Sequence, residues 1–443
     1  MIQFKKVAFH TFGCKLNFSE TSTISRLFEN AGMAKVSLDD YPDIFVVNTC
    51  SVTENADKRC KQLVRKVKRI NPECFVVIIG CFAQLKPNEI AEIEGVDMVL
   101  GANEKFNIIE HIENLNDLHP EKTHVSYDSI KKTKDFIPSF SIGDRTRSFL
   151  KIQDGCDYFC TFCTIPLARG KSRNSSIHET IQEASKIAKT SVKEVVLTGV
   201  NIGDFGQGKD ENFYELIQEL DKISGIDRFR ISSIEPNLLS DEIIKFCLTK
   251  AKKFAPHFHI PLQSGNDQML KAMRRKYDTA LYKDRIKHIK ELRPDACIGV
   301  DVIVGFPGET DAHFNDTLDF LKNLDVSYLH VFTYSERANT TANKMTDVVP
   351  MSKRKERSKI LHLLSDRKKR AFYDSNKNSE RRVLFENEEN NGMMYGFTDN
   401  YVKIKTPYNA SLANTMQTVN LTELDRDIIY KSELKTISKQ QVN

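Results

Sequence analysis

The stretch SFLKIQDGCDYFCTFCTIPLARGKSR (residues 148–173) joins a predicted β-strand to three closely spaced cysteines. Cys156, Cys160 and Cys163 lie within eight positions, directly after the strand SFLKIQD, and a basic run follows them. Thiols at this spacing project from one short loop and converge on a single small target. The stretch therefore predicts a metal or catalytic site at the carboxyl end of a strand, where the active sites of β/α barrels lie.

Two kinds of metal centre can be weighed for three thiols in one loop. Structural zinc takes four ligands, usually paired cysteines or histidines, and the nearest downstream histidine, His178, lies in a predicted helix. A [4Fe–4S] cluster normally takes four protein thiolates. Three thiolates would leave one iron with an open position where a cofactor can bind. The spacing and the strand placement favour the cluster over zinc.

Six strand-then-helix units follow one another in residues 147–373. Sequential right-handed βα units curl toward a barrel, and a closed TIM barrel needs eight of them. Six units predict an open, partial (β/α)6 barrel whose mouth can admit a large substrate. The predicted strands are SFLKIQD, EVVLTGVN, RFRISSIEP, HFHIPLQSG, CIGVDVIVGFPG and YLHVFTYS.

Residues 1–115 alternate apolar runs with helical patterns, which predicts an open, Rossmann-like parallel sheet covered on both faces. The predicted strands are KVAFHTF, DIFVVNT, FVVIIG and DMVL, and Cys14, Cys50 and Cys81 each follow one of the first three. Carboxyl ends of parallel strands line one crevice, so these thiols are expected to gather into a second three-thiol site. A single such cysteine would be interpreted as a small buried hydrophobe. No role is assigned to Cys60, Cys74, Cys247 and Cys297.

The remaining segments differ in composition. Residues 116–146 are polar, contain two prolines and are predicted to be a linker. Residues 375–440 read as short alternating strands broken by Asn, Gly and Pro, which is typical of a small antiparallel β-barrel. Residues 353–382 carry 12 Lys and Arg against four acidic residues, which fits either a solvated helix face or a surface for a polyanion.

Composition indicates an α/β protein of the cytoplasm. The first ten residues, MIQFKKVAFH, contain no apolar run of signal-peptide length, and no later stretch approaches a membrane span. Ten cysteines in 443 residues are too sparse for a disulfide scaffold. The net charge of +5 is mild, and 40% hydrophobic residues supply enough core for about three domains.

The segment CDYFCTFC resembles the CxxxCxxC signature of radical S-adenosylmethionine (SAM) enzymes. The resemblance implies that Cys156, Cys160 and Cys163 hold a [4Fe–4S] cluster. It also implies that the amino and carboxylate groups of SAM chelate the unique iron, and that reductive cleavage of SAM gives a 5′-deoxyadenosyl radical.

Over nearly its whole length the chain resembles the methylthiotransferases within that superfamily. The matching segments are TFGCKLN, VVNTCSVT, IIGCFAQ, GCDYFCTFCTIPLARGKSR, RISSIEP, IPLQSGND, VGFPGET and the closing β-domain. The resemblance implies that Cys14, Cys50 and Cys81 hold an auxiliary [4Fe–4S] cluster. It further implies two SAM per turnover, one to methylate a cluster-bound sulfur and one to make the radical. A reduced flavodoxin- or ferredoxin-like electron donor and a sulfur source are implied as partners.

The same resemblance suggests residues for the SAM pocket. Arg169 and Arg173 stand in the family's Arg-Gly-x-x-Arg arrangement and could contact a SAM carboxylate or a tRNA phosphate, or be ordinary surface arginines. RISSIEP and VGFPGET are expected to line the pocket at strand ends, although the glycines of the second could equally be turn residues. Asn174 and Asn339 depart from the serine and glycine common in the family. The candidate pocket residues are Arg169, Arg173, Ser232, Ser233 and Gly305.

Family substrates are tRNA nucleosides or a ribosomal-protein aspartate. The C-terminal segment resembles a TRAM domain, which implies RNA binding, here to a tRNA anticodon stem-loop. VVLTGVNIGDFG and GFTDNYVKI resemble the subgroup that methylthiolates C2 of N6-threonylcarbamoyladenosine at position 37, beside the anticodon. The alternatives are isopentenyl-adenosine in tRNA, a ribosomal protein, or an iron–sulfur RNA-binding protein without turnover.

Overall fold

The computed structural model describes residues 4–50, 54–114, 122–143, 145–425 and 429–434. It confirms the predicted α/β fold with parallel sheets, and its elements form three successive groups. Among the described residues, no helix is both long and apolar enough to cross a membrane.

The first group is a six-stranded sheet in the order β2-β1-β3-β4-β5-β6, and every pairing in it is parallel. Val46 and Val47, neighbours on β3, belong to separate apolar clusters on the two faces, so helices cover both sides. The elements are β1 (Lys6–Thr11), α1 (Lys15–Asn30), β2 (Ala34–Lys35), β3 (Ile44–Thr49), α2 (Glu54–Ile70), β4 (Phe75–Gly80), α3 (Cys81–Leu85), α4 (Pro87–Ala91), β5 (Met98–Leu100), α5 (Ile108–Glu113) and β6 (His124–Ser126).

The segment predicted as a linker, residues 116–146, contributes to both neighbouring sheets. Within it, β6 pairs with β5 of the first sheet, while β7 (Ser139–Phe140) pairs antiparallel with the first strand of the next. These strands have three and two residues, too few for an alternating pattern to be visible in the sequence. Residues 115–121 and 144 lie outside the described part of the chain.

The second group contains the six predicted βα units. Its sheets run β10-β9-β8-β7 and β11-β12-β13, and parallel bridges such as Ser233 with His259 join them across β10 and β11. The elements are β8 (Arg147–Lys151), α6 (Ile165–Arg169), α7 (Ile177–Ala188), β9 (Glu194–Thr198), α8 (Phe213–Asp221), β10 (Arg228–Ile231), α9 (Asp241–Lys245), β11 (His257–His259), α10 (Asp267–Ala272), α11 (Thr279–Leu292), β12 (Cys297–Val304), α12 (Asp311–Asn323), β13 (Tyr328–Thr333) and α13 (Met351–Ser375).

Burial alternates along the strands of this second group. Val300 and Val302 of β12 pack into the large core under the helices, so Asp301 between them faces the inside of the curved sheet. By the same alternation, His259 of β11 and His330 of β13 face that inner space, which we call the lumen. The lumen face of β13 is open, because His330 is exposed and Phe332 is 47% exposed.

The third group is a closed five-stranded barrel in the order β14-β15-β16-β18-β17. Four of its pairings are antiparallel, whereas β16 and β18 pair in parallel, which the sequence pattern does not indicate. The strands are β14 (Glu380–Asn390), β15 (Met393–Thr398), β16 (Lys403–Pro407), β17 (Met416–Leu424) and β18 (Tyr430–Leu434).

The turn between β15 and β16 closes the amino-terminal end of the lumen. Arg230 of β10 donates hydrogen bonds to the carbonyls of Asp399 (3.0 Å) and Thr398 (3.3 Å) in this turn. The Tyr401 ring lies 4.5 Å from the His257 ring, centroid to centroid. Among the described residues, the turn therefore covers the amino-terminal end of the lumen, and the carboxyl ends of the strands and the open face of β13 remain for a substrate.

Candidate active site at the domain junction

Cys156, Cys160 and Cys163 lie in the loop between β8 and α6. The loop begins at Gly155, whose φ of +71° places its hydrogen against the main chain of Lys171; a Cβ there would lie 2.0 Å from the Lys171 carbonyl oxygen. Only glycine fits that position. The turn thus brings the returning segment 170–173 against the start of the cysteine loop.

Each sulfur of this loop accepts a hydrogen bond. The backbone N–H of Tyr158 donates to Cys156 Sγ (3.5 Å) and that of Ile165 to Cys163 Sγ (3.4 Å). The third donor is a guanidinium nitrogen of Arg275, 3.0 Å from Cys160 Sγ. Donors aimed at sulfur suit thiolates that bind a metal cluster, since hydrogen bonds to the ligand sulfurs tune its reduction potential.

Arg275 is a site residue that the sequence pattern does not reveal. It lies 112 positions beyond Cys163, between α10 and α11, in an otherwise ordinary run of charged residues. Its Nη2 pairs with the buried carboxylate of Glu235, and its Nε donates to the Tyr277 hydroxyl at 3.0 Å. Two anchors therefore hold the guanidinium against the sulfur.

Cys14, Cys50 and Cys81 stand at one edge of the first sheet. They follow β1, β3 and β4, which are adjacent strands. A Cβ added to Gly13 would lie 3.0 Å from Cys50 Sγ, so the Cys14 loop passes directly over Cys50. Cys81 is buried, Cys50 is partly buried and Cys14 is exposed toward the junction. The three thiols that are scattered in sequence thus share one strand-end position.

Burial raises the pKa of several of these thiols. The pKa values of Cys156 and Cys163 rise to about 12, and those of Cys160 and Cys81 also rise, chiefly through desolvation of the thiolate. Buried thiols of this kind ionise when a metal supplies the opposite charge. The donor set fits a pair of iron–sulfur clusters that each keep an open iron, since each set has three sulfurs and the nearby Cys60 and Cys74 are buried in an apolar core cluster.

A buried ionic network joins the two cysteine sets. Glu20 of α1 is fully buried and lies 2.7 Å from Lys105 Nζ, 3.2 Å from Lys151 Nζ and 3.1 Å from Arg169 Nη1. Arg169 also contacts Asp154, two residues before Cys156, at 3.0 Å. Burial alone would raise the pKa of Glu20, but Arg169, Lys105 and Lys151 together hold it well below its usual value.

The structure corrects the predicted role of Arg169. Its side chain is 4% exposed, and its Nη2 donates to Asn17 Oδ1 at 2.7 Å as well as to Glu20. Asn17 in turn donates to the carbonyls of Phe12 (3.0 Å) and Thr49 (3.1 Å), which flank Cys14 and Cys50. Arg169 therefore ties the loops of both cysteine sets together and is not placed to meet a SAM carboxylate or a phosphate.

Arg173 is likewise held by the protein itself. Its guanidinium donates to Asp154 Oδ2 (3.1 Å) and to the carbonyls of Arg169 (2.6 Å) and Asp135 (3.0 Å). It braces the returning segment of the cysteine loop, and its contact with SAM or a phosphate stays a prediction. Asn174 accepts from the Gly206 N–H at 3.0 Å and packs internally.

Ser232, Ser233 and Gly305 lie at the carboxyl ends of β10 and β12, on the same edge as the cysteine loop. Gly305 has a φ of +76°, and a Cβ there would meet Arg354 Cγ at 2.3 Å. Its N–H donates to Glu309 Oε1 at 2.9 Å. Gly305 is thus a turn residue packed under α13, whereas the two serines stay at the rim.

A polar group lines the lumen below the cysteine loop. His259 Nε2 lies 2.7 Å from Asp301 Oδ1, and His330 completes a set whose ligand-type atoms all lie within 4.8 Å of one another. The pKa of His330 is lowered, first by partial desolvation of its ring, then by the neighbouring His259, and also by Lys15, the residue after Cys14. The inner space beside the cysteine sets is therefore charged and polar.

Comparison with known proteins agrees with this arrangement. Residues 6–101 match the Uncharacterized protein family UPF0004, and residues 150–321 match the Radical SAM superfamily. The chain is 40% identical over 408 residues to the Threonylcarbamoyladenosine tRNA methylthiotransferase MtaB of Bacillus subtilis, covering 90% of this chain and 89% of the relative. It is 39% identical to the protein of the same name in Aquifex aeolicus, covering 90% and 96%.

More distant relatives carry a second name. A tRNA-2-methylthio-N(6)-dimethylallyladenosine synthase of Endomicrobium trichonymphae is 33% identical over 398 residues, covering 89% of this chain and 91% of the relative. Among solved structures, the radical SAM methyltransferase TsrM of Kitasatospora setae, with cobalamin and a [4Fe–4S] cluster bound, superposes with a TM-score of 0.58 at 13% identity over 77% of each chain. The chain therefore belongs to the radical SAM methylthiotransferase family, among the relatives of the MtaB type.

Proposed function

We propose that the chain transfers a methylthio group to C2 of N6-threonylcarbamoyladenosine at position 37 of tRNA. The observation that carries this proposal is the meeting of two three-cysteine sets across one buried network, Glu20–Arg169–Asp154. An unreactive aromatic C–H requires a radical, and a sulfur donor has to stand beside the radical's target. A single cysteine set would serve only one of these needs.

The cofactors follow from the cysteine sets. Cys156, Cys160 and Cys163 would hold the [4Fe–4S] cluster that binds SAM, and Cys14, Cys50 and Cys81 would hold the auxiliary [4Fe–4S] cluster. When bound, these groups supply a 5′-deoxyadenosyl radical and a sulfur-borne methyl group, at a cost of two SAM per turnover. Arg275 orients one sulfur ligand, and Ser232 and Ser233 stand at the rim where SAM would lie. A reduced flavodoxin- or ferredoxin-like donor and a sulfur source complete the reaction.

The lumen supports threonylcarbamoyladenosine over isopentenyl-adenosine. The threonylcarbamoyl substituent carries a carboxylate and a hydroxyl, whereas an isopentenyl group is wholly apolar. His259 and His330 offer hydrogen bonds and Lys15 offers a positive charge, which suit a carboxylate and a hydroxyl and have no counterpart in an isopentenyl group. The identity to relatives of the MtaB type, 34–40%, also exceeds the 30–33% to those named for dimethylallyladenosine.

The domain organisation fits an RNA substrate. Residues 1–115 would form the Rossmann-like auxiliary-cluster domain, residues 147–373 the partial (β/α)6 radical SAM barrel, and residues 375–440 a TRAM-like RNA-binding barrel. On the basic segment, Arg354 and Arg357 are buried and paired with Glu336 and Glu309. The exposed cations that remain for a phosphate backbone are Lys355, Lys359, Arg367, Arg370, Lys377 and Arg382.

Anaerobic reconstitution followed by nucleoside mass spectrometry tests the proposal. We expect protein with the iron content of two clusters to cleave SAM under a strong reductant and to convert tRNA bearing threonylcarbamoyladenosine into its 2-methylthio form. Methylthiolation of isopentenyl-adenosine or of a ribosomal protein instead would show that the subgroup is wrong. Intact clusters without any 5′-deoxyadenosine in the presence of substrate would leave an iron–sulfur RNA-binding protein.

A further inference from the structure

A cleft of about 460 Å³ opens between the first sheet and the rim of the central barrel. On one side it is lined by Phe82, the residue after Cys81, and on the other by Thr164, the residue after Cys163. The segment after β13 that lines the cleft continues to Ala342, whose N–H donates to the Thr161 carbonyl of the cysteine loop at 2.8 Å. The cleft is therefore the external approach to the space between the two cysteine sets.

The cleft is rich in positive charge. Its cationic side chains are Lys58 and Lys61 from α2, Lys86 between α3 and α4, and Arg337 from the loop after β13. Its two acidic side chains are already engaged: Glu89 lies 2.8 Å from Lys86 Nζ, and Glu336 lies 2.6 Å from Arg354 Nη2 outside the cleft. Lys58, Lys61 and Arg337 are therefore not neutralised by the acids of the cleft.

Arg337 indicates a ligand more specifically than the positive charge of the cleft does. Its Nε and Nη2 are shielded from solvent, yet neither has a hydrogen-bond acceptor among the residues that the structure describes. A guanidinium donor that is shielded from solvent and has no partner is unfavourable. The loop that presents it is well defined: Asn339 adopts a left-handed φ of +65°, and Thr340 Oγ1 donates to the Arg337 carbonyl at 2.7 Å. An acceptor from outside the chain would satisfy these donors.

We propose that this cleft binds a backbone phosphate of the RNA next to the nucleotide that is modified. The inference rests on the proposed function and adds the residues that grip the substrate at the reaction centre. The planar guanidinium of Arg337 lines the cleft and matches phosphate geometry, and flanking lysines add charge. Base chemistry requires the target nucleotide to be splayed out of its stack. A phosphate held in the cleft would pin the splayed nucleotide with its base directed between the two cysteine sets.

Binding of an anticodon stem-loop RNA to the cluster-loaded protein, measured by fluorescence anisotropy over a salt series, tests this. We expect Arg337→Gln to raise the Kd about tenfold, as for loss of one charge-assisted hydrogen bond. The slope of log K against log salt should fall by about 0.7–0.9 for the lost phosphate contact. Arg337→Lys should restore the salt slope but only part of the affinity, since it keeps the charge without the planar fork.

Controls separate the cleft from general effects. Lys222→Gln removes an exposed cation at the end of α8, paired with Glu219 at 2.6 Å, and should leave both affinity and slope unchanged. The iron content of Arg337→Gln should match that of the wild type, which shows that both clusters load. If that variant fails to load clusters, the double variant Lys58→Gln/Lys61→Gln is measured instead, since Lys58 is exposed and Lys61 is partly exposed on α2.

The outcomes distinguish this inference from the proposed reaction. Unchanged affinity and salt slope in Arg337→Gln, or in the double lysine variant where that one decides, would overturn the phosphate cleft even if methylthio product forms. Arg337-dependent RNA binding without any methylthio product would overturn the reaction and leave the cleft standing.

Discussion

The two cysteine sets each bring three thiols together, but one set lies on a single loop and the other on three separate strand ends. Cys156, Cys160 and Cys163 lie on one loop of eight residues, and their sulfurs accept hydrogen bonds from that loop and from Arg275. Cys14, Cys50 and Cys81 span 68 positions and meet only because three parallel strands end side by side. The first arrangement is local and the second depends on the whole sheet, which makes the second set the more sensitive to damage elsewhere in the fold.

The largest expected effect comes from removing one thiol of each set. Cys160→Ala should abolish 5′-deoxyadenosine formation, because the set that would bind SAM loses a ligand. Cys81→Ala should keep SAM cleavage and lose only the methylthio product. Each variant should retain the iron of one cluster after anaerobic purification. If Cys81→Ala also lost SAM cleavage, the two sets would not be functionally separate.

Among the predicted substitutions, one in the ionic network between the two cysteine sets should cause a large loss in the free energy of unfolding. Glu20→Gln leaves Arg169, Lys105 and Lys151 buried without their shared anion, which we expect to cost about 3–5 kcal/mol. Chemical denaturation followed by circular dichroism measures the effect. Lys186→Ala on the exposed surface of α7 breaks only a surface pair with Glu183 and should change the midpoint little.

The same network predicts the acid dependence of stability. The pKa of Glu20 in the folded protein lies below its ordinary value of 4.5, so its contribution is fully present above pH 4.5. The contribution is lost as pH falls and protonation of the folded carboxylate becomes favourable. Wild type and Glu20→Gln should therefore differ most at neutral pH and converge in acid. A constant difference down to pH 3 would contradict the proposed pairing.

Arg275 should affect the reduction potential of the SAM-binding cluster and leave that of the auxiliary cluster unchanged. Removing a positive hydrogen-bond donor from Cys160 Sγ in Arg275→Gln destabilises the more negative, reduced cluster. We expect the potential of the SAM-binding cluster to fall by on the order of 50 mV, from a charged hydrogen bond of about 1.5 kcal/mol. Redox titration followed by electron paramagnetic resonance checks this, with Arg275→Lys as the partial rescue. The potential of the auxiliary cluster should not move.

The smallest effect concerns the lumen that both sets face. His330→Ala should raise the KM for RNA bearing threonylcarbamoyladenosine about tenfold with little change in kcat, because one hydrogen bond to the substituent is lost. Tyr41→Ala, a change at an exposed side chain of the first sheet's outer edge, serves as the control. An equal loss toward RNA with isopentenyl-adenosine would show that His330 does not contact the substituent.

Much of the fold was predictable because its signals are local. Buried parallel strands such as Ile44–Thr49 and Phe75–Gly80 are continuous apolar runs, and all four predicted strands of the first sheet form. The strands β2 and β6 were missed because they contain two and three residues. The parallel pairing of β16 with β18 joins segments more than twenty positions apart, and no residue pattern encodes that choice.

The candidate site likewise contains residues that the sequence suggested and residues that it did not reveal. Arg169 stands six positions after Cys163, which suggested a ligand contact, but its charge is used by Glu20, 149 positions upstream. Arg275 and Arg337 gave no signal, because a charged residue in a charged loop looks alike whether it faces water or a sulfur. Asn339 is explained only by its left-handed φ, which asparagine tolerates where the family commonly has glycine.

The sequence by itself determined which residues can hold metal, since the spacing of Cys156, Cys160 and Cys163 and the strand-end positions of Cys14, Cys50 and Cys81 are written in the chain. Only the tertiary structure decided what surrounds them: which arginine braces the junction, which one contacts a sulfur atom, and which one lines the cleft. The physical reason is that periodicity and spacing are short-range properties of the chain. The partner of a buried charge is chosen by packing between segments far apart in sequence.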